Sequence, residues 1–168
     1  MLKTTVKFGI LAGIFLILWD YLLYNYLYVQ VGYYAILVQV IIIASCIFFG
    51  IKEAKNKRYE GDISYKNASL TGFIITLYAA VLFTTVVYYF YPYGNLNFER
   101  DFVRIITEKM KVTGRSAEEI KKEVQTAKEY LKPHSLALGA FYNTLIIGVI
   151  FTLIFSSILR KRIPFKKE

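Results

Sequence analysis

The sequence has little of the chemistry that most catalytic and metal sites need. It has one histidine, His134, and one cysteine, Cys46, among 168 residues. An intramolecular disulfide is therefore excluded, and the usual zinc ligand sets cannot be built. There is no glycine-rich phosphate loop, and proton-transfer catalysis needs a positioned acid and base. We therefore predict no enzymatic activity, no metal and no cofactor.

The sequence instead contains several long apolar segments. It is 56% hydrophobic, and four long apolar runs contain no lysine or arginine: 8–28, 32–51, 68–91 and 136–159. Runs of about 20 residues span the roughly 30 Å hydrocarbon core as helices, in which the backbone satisfies its own hydrogen bonds. They do not alternate as barrel strands do. We predict an all-α integral membrane four-helix bundle, with 1–168 as a single membrane domain.

The first run has two interpretations. Lys3 and Lys7 precede it, as in the basic start of a signal peptide. However, Asp20 and several tyrosines follow, and no cleavage site with two small residues is present. We expect a retained membrane helix.

Basic residues predict the orientation. They cluster in the N-terminus, in the 52–67 link and in the tail, whereas the 93–135 segment is nearly balanced in charge. Both termini should therefore be cytoplasmic and the 93–135 segment outside. With the net charge of +9 beside the membrane ends, we expect anionic lipid headgroups as the partner, and not nucleic acid.

The outer segment has the pattern of two amphipathic helices. A helix over 98–112 is predicted by apolar spacing at Phe98, Phe102, Ile105, Ile106 and Met110. Ser116 and Glu119 then have capping-box spacing. A second stripe follows at Ile120, Val124, Ala127 and Leu131. The resulting hairpin, about 95–132, could lie on the membrane surface, cover the bundle or meet a partner.

Small residues recur on the membrane runs where helices would pack closely. The first run has Gly9 and Gly13. The third and fourth have a small residue every fourth position: Ala68, Gly72, Thr76, Ala80 and Thr84, and then Ala140, Thr144, Gly148, Thr152 and Ser156.

Each apolar run also contains one polar side chain at a similar depth, in the outer half of the predicted helix bundle. The predicted polar layer contains Asp20, Gln39, Thr84 and Asn143. A charged aspartate inside a membrane costs about 2.5–3.5 kcal/mol on insertion scales. Asp20 is therefore either a protonated structural residue that donates to Gln39 or Asn143, or a carboxylate that binds and releases a proton or cation.

The 52–67 link carries a short motif. Gly61 suits a tight turn, Asp62 follows it, and Ser64 can cap the third helix. A ligand site is the alternative interpretation of these residues.

A longer motif includes the residues on either side of this link. Its residues are Gly50-Ile51-Lys52, Arg58-Tyr59-Glu60-Gly61-Asp62-Ile63-Ser64-Tyr65, Ala68 and Gly72. Together with the length and the four runs, they make the chain resemble the domain of unknown function 4199, an uncharacterised family of bacterial four-helix membrane proteins.

The resemblance implies a bacterial inner-membrane protein and supplies no activity. Two functional classes remain open. The first is a non-enzymatic scaffold or accessory subunit, which contacts a membrane protein or a second copy of itself. The second is a small proton-coupled transporter in which Asp20 is the protonatable group.

Overall fold

The computed structural model describes residues 2–23, 34–94 and 98–161, with the side chains of 3–23, 36–90 and 99–161. These residues contain six helices and no strand, which confirms the all-α class. The helices are α1 Leu2–Leu22, α2 Tyr34–Arg58, α3 Tyr65–Gly94, α4 Phe98–Val112, α5 Ala117–Tyr130 and α6 Pro133–Leu159.

Four of the helices, α1, α2, α3 and α6, are long and apolar enough to cross a membrane. This confirms the four predicted spans. The helices extend beyond the apolar runs, because hydropathy marks the part suited to lipid, while lysine, glutamate and alanine continue a helix into water. Thus α2 continues to Arg58 and α3 already begins at Tyr65. The predicted end of the first run at 28 and the start of the second at 32 lie outside the described residues.

The chain divides into two compact units. The first unit comprises Met1–Phe83 and Phe141–Glu168, and the second comprises Thr84–Ala140. Of the four apolar helices, α3 is the most enclosed: 44% of its apolar stretch is buried, against 17% of that of α6. The close contacts within the first unit show why.

Two glycines of α1 let it approach α3 closely. A Cβ on Gly9 would lie 2.5 Å from the Cβ of Tyr78, and one on Gly13 would lie 2.7 Å from Cδ2 of Leu82. Gly50 of α2 likewise faces the side chain of Ile75. Because backbone contact is a main source of helix association in lipid, these glycines fix α1 and α2 against α3.

The contact between α3 and α6 uses small residues on both sides. Gly72 faces Thr152, whose Oγ1 would be 2.6 Å from a Cβ at that glycine. Gly148 faces Thr76 in return. The two contacts set an antiparallel register in which each step forward on α3 is a step backward on α6. At the same four-residue spacing, Ala68 and Ala80 on α3 and Thr144 and Ser156 on α6 are also buried.

The second unit contains the helical hairpin formed by α4 and α5. Lys128 near the end of α5 forms an ion pair with Glu99 at the start of α4, with 3.3 Å between the charged atoms. The helices are therefore antiparallel. The turn between them contains Gly114 at a φ of 71°, a conformation that glycine adopts without steric cost.

Candidate functional site

The best-defined polar site of the first unit is the loop between α2 and α3, together with the end of α6. After α2 ends, Glu60 and Gly61 have φ values of 48° and 91°. The N–H groups of Tyr59 and Gly61 both donate to the carbonyl oxygen of Lys55, at 3.2 and 3.0 Å. This turn ends the helix and redirects the chain. A φ of 91° explains the need for glycine at position 61.

Ser64 then starts α3. Its Oγ accepts a hydrogen bond from the N–H of Asn67 at 3.3 Å, and its carbonyl oxygen accepts one from Ala68 at 3.0 Å. These are the contacts of a helix N-cap, the role that the sequence predicts for this serine. Between the turn and the cap, Ile63 is fully buried and anchors the loop to the protein interior.

Two lysines join the end of α6 to this loop and to the last turn of α2. The N–H of Lys161 donates to the carbonyl oxygen of Ile63 at 3.0 Å, and its Nζ pairs with the carboxylate of Asp62. In the other direction, Nζ of Lys55 donates to the carbonyl oxygen of Leu159 at 3.0 Å. A cation at the C-terminus of a helix satisfies a carbonyl that lacks a helical partner. We call this set of contacts the loop clasp.

An ion-pair group lies on α1 and α2. Glu53 accepts from Lys7 of α1 at 3.1 Å and from Lys57 of its own helix at 3.2 Å. Glu53 and Lys57 are four residues apart, so the sequence contains a local signal for that pair. It contains none for the contact with Lys7, or for the contacts of Lys55 and Lys161, whose partners are about a hundred positions away along the chain.

Basic side chains outnumber acidic ones among the residues of the clasp, the loop and the helix ends around them. The basic residues are Lys7, Lys52, Lys55, Lys57, Arg58, Lys66, Arg160 and Lys161, and the acidic ones are Glu53, Glu60 and Asp62. This composition gives the clasp and its surroundings a net positive charge.

The four residues of the predicted polar layer differ in burial. Asp20 is half-buried two residues before the end of α1, and Gln39 is half-buried near the start of α2. Asp20 follows Gly13 by seven residues, so it lies on the face of α1 that packs against α3. The predicted depth of Asp20 depends on where the first run ends, and its predicted end at 28 lies outside the described residues.

The other two members differ from each other. Thr84 is half-buried, and its Oγ1 is buried without a hydrogen-bond partner in the described part of the chain. Asn143 is exposed, whereas its neighbour Thr144 is 3% exposed. One residue turns a helix by about 100°, so Asn143 cannot share the packed face that Thr144, Gly148 and Thr152 occupy. The sequence already contains this conflict, because the small-residue stripe and Asn143 require different faces.

The second helix of the hairpin, α5, begins at a capped N-terminus. Ser116 and Glu119 form a complete capping box, in which Oγ of Ser116 accepts from the N–H of Glu119 at 3.2 Å and the carboxylate accepts from the N–H of Ser116 at 2.9 Å. The hydrogen bond from the Ser116 backbone, helped by its hydroxyl and by the charge of Arg115, holds the pKa of Glu119 below its ordinary value.

A shallow groove runs between α4 and α5. Ile106 and Met110 form its apolar part, and Thr113 and charged side chains line the rest; the charged residues are Lys109, Arg115, Glu119, Lys122 and Glu123. Among the side chains that the structure describes, the residues of both predicted stripes are half-buried, except for Ala127, which is buried. The side chain of Phe98 lies outside the described ones.

The four apolar helices of membrane-spanning length are those of a helical multi-pass membrane protein. A family model described as Protein of unknown function (DUF4199) matches residues 7–161, so the chain belongs to the DUF4199 family. This confirms the resemblance seen in the loop motif. No match was found among curated proteins or among solved structures.

Proposed function

We propose that this protein is a non-enzymatic scaffold or accessory subunit of a membrane assembly in the bacterial cytoplasmic membrane. The observation that supports this most directly is the α4–α5 hairpin, which the chain inserts between two membrane-length helices. The hairpin has its own cap, its own interhelix ion pair and a buried alanine. A preformed module of this kind suits recognition, because little ordering entropy is lost when a partner binds.

The surface of the hairpin also suits a contact with another protein. Val112 at the end of α4 is 88% exposed, and Tyr130 at the end of α5 is 70% exposed. Both stand among charged residues, as apolar anchors do in protein interfaces. The partner in this proposal is another membrane protein or a second copy of the chain.

In the proposed orientation, both termini and the loop clasp are cytoplasmic and the hairpin is outside. The positive-inside rule supports this, because the link between α2 and α3 is basic whereas the hairpin is nearly balanced. Anionic headgroups would then meet the clasp, at about 1 kcal/mol for each basic residue near the surface.

Crosslinking in the membrane tests the scaffold proposal. Replacing residues 99–130 with a flexible linker should abolish a specific crosslinked complex while the four apolar helices still insert. Tyr130→Lys should weaken the same complex, because it places a charge at the anchor. Gln125→Lys is the matched control, since it adds the same charge at another exposed position of α5. An equal yield of the complex from the linker variant would exclude the hairpin as the contact.

A second candidate, a small proton-coupled transporter, is favoured by the position of Asp20. It is a half-buried carboxyl group in an apolar helix, on the face that packs against α3. Proton flux into vesicles should then occur with the wild-type protein and be lost in Asp20→Asn. Asp101→Asn in α4 controls for the loss of one acidic residue. If purified Asp20→Asn conducts protons as well as the wild type, the transport hypothesis fails.

A further inference from the structure

Three hydroxyl groups of α3 and α6 are buried without satisfying their hydrogen-bonding capacity. They are Ser69 Oγ, Thr152 Oγ1 and Ser156 Oγ, which have no partner among the described residues. Ser156 is 0% exposed and Thr152 is 3% exposed. A buried polar group without a partner costs free energy, so most such groups in proteins bond to another group or to an ordered water.

Other hydroxyls in the same helices donate to a backbone carbonyl oxygen of their own helix. Thr71 donates to the carbonyl oxygen of Asn67 at 2.7 Å, and Thr76 donates to that of Gly72 at 2.9 Å. Ser157, beside Ser156, donates to Leu153 at 3.0 Å. Each partner lies four residues earlier in the same helix. The three orphaned hydroxyls do not make this bond, which sets them apart from their neighbours.

The helix register brings the three hydroxyls to neighbouring levels. Ser69 precedes Thr76, which faces Gly148, by seven residues, so it lies on the side of α3 that meets α6. Gly72 is level with Thr152, and the helices are antiparallel. At 1.5 Å per residue, Ser69 lies about 4.5 Å beyond Gly72, and Ser156 lies about 6 Å beyond Thr152 in the same direction. Ser69 is therefore between the levels of the two α6 hydroxyls, on the opposite helix. The absence of a Cβ at Gly72 lets the Thr152 side chain approach the α3 backbone.

We propose that Ser69, Thr152 and Ser156 together bind one water molecule between α3 and α6. A hydroxyl both donates and accepts, as water does, and a buried water typically makes about three hydrogen bonds to groups that otherwise lack partners. The three groups are neutral, so they suit a neutral guest better than an ion, whose charge they would not balance. The water joins the two helices at the level of these hydroxyls.

A double-mutant cycle in the full-length protein tests the proposal. Thr152→Val and Ser156→Ala each remove one hydroxyl with little change in shape. If one water serves both groups, each single variant lowers the melting temperature in detergent by about 2–4 °C. The double variant then loses clearly less than the sum of the two. Thr71→Val is the matched control, because that hydroxyl is satisfied within its own helix and should show no coupling to Ser156→Ala.

An NMR measurement separates a shared water from a direct contact between the hydroxyls. Magnetisation transfer from a long-lived water to the backbone amides of residues 69 and 156 should occur in the wild type and disappear in the double variant. Additive stability effects, a rise in melting temperature on removing either hydroxyl, or the absence of this transfer in the wild type would each overturn the proposal.

Discussion

The close contact between Gly148 and Thr76 gives the sharpest prediction of the packing account. A Cβ at position 148 would meet the Thr76 side chain, with Oγ1 at 2.5 Å and Cβ at 2.8 Å. Thr76 cannot turn away freely, because it is β-branched and its hydroxyl is bonded to the carbonyl oxygen of Gly72. Gly148→Ala should therefore push α3 and α6 apart.

The magnitude follows from two opposing effects. Overpacking costs about 1–3 kcal/mol, and the better helix propensity of alanine returns about 1 kcal/mol. The net result should be a loss of up to about 2 kcal/mol of unfolding free energy. Gly139 provides a matched control in the same helix, because a Cβ there would meet nothing within 4 Å. Gly139→Ala should therefore gain up to about 1 kcal/mol.

Equilibrium unfolding in detergent, followed by circular dichroism, measures both variants. Adding Thr76→Ala to Gly148→Ala should recover part of the loss, so that the double variant is more stable than the sum of the singles predicts. If Gly148→Ala stabilises the protein as much as Gly139→Ala does, the assigned contact between α3 and α6 is wrong.

Two further predictions concern the charged sites. Asp62→Asn removes the ion pair with Lys161, in which both side chains are 56% exposed. Unfolding measurements should show a loss of unfolding free energy below about 1 kcal/mol, and this loss should shrink at high salt. Glu60→Gln in the same loop should not show this salt-dependent loss. Because the folded pKa of Glu119 is lowered, its cap stabilises α5 above the unfolded pKa, and the effect is lost as pH falls through the folded pKa. The amide shift of Ser116 should titrate with a midpoint below 4.5, the ordinary glutamate value; a midpoint at or above 4.5 would contradict the capping geometry.

Local patterns in the sequence predict much of this structure. Spacing of four residues predicts a small-residue stripe on α3 and another on α6, because helix periodicity alone decides which residues share a face. In the structure, Gly72 and Gly148 of these stripes lie at the contact between the two helices. The same periodicity identified α4 and α5, and Ser116 and Glu119 marked the start of α5. These features need no knowledge of the rest of the fold.

Features that depend on distant contacts were not predictable in this way. The clasp joins Lys55 to Leu159 and Lys161 to Asp62, and nothing near these lysines in sequence distinguishes them from other basic residues. Depth alone places Asn143 in the predicted polar layer. Depth does not specify which face of the helix a residue occupies, and the packed face of α6 belongs to its neighbour Thr144.

In the membrane topology that we propose, the loop clasp and the hairpin face opposite sides. Single-cysteine labelling tests it most directly, in a Cys46→Ala background that removes the only native thiol. Lys57→Cys reports on the end of α2, and Lys121→Cys reports on α5, since both positions are exposed. A thiol reagent that cannot cross membranes should label only position 121 when it is added to bacterial spheroplasts, in which the cytoplasmic membrane is intact. Position 57 should react only after the cytoplasmic membrane is permeabilised. Labelling of both positions from the same side would contradict the topology.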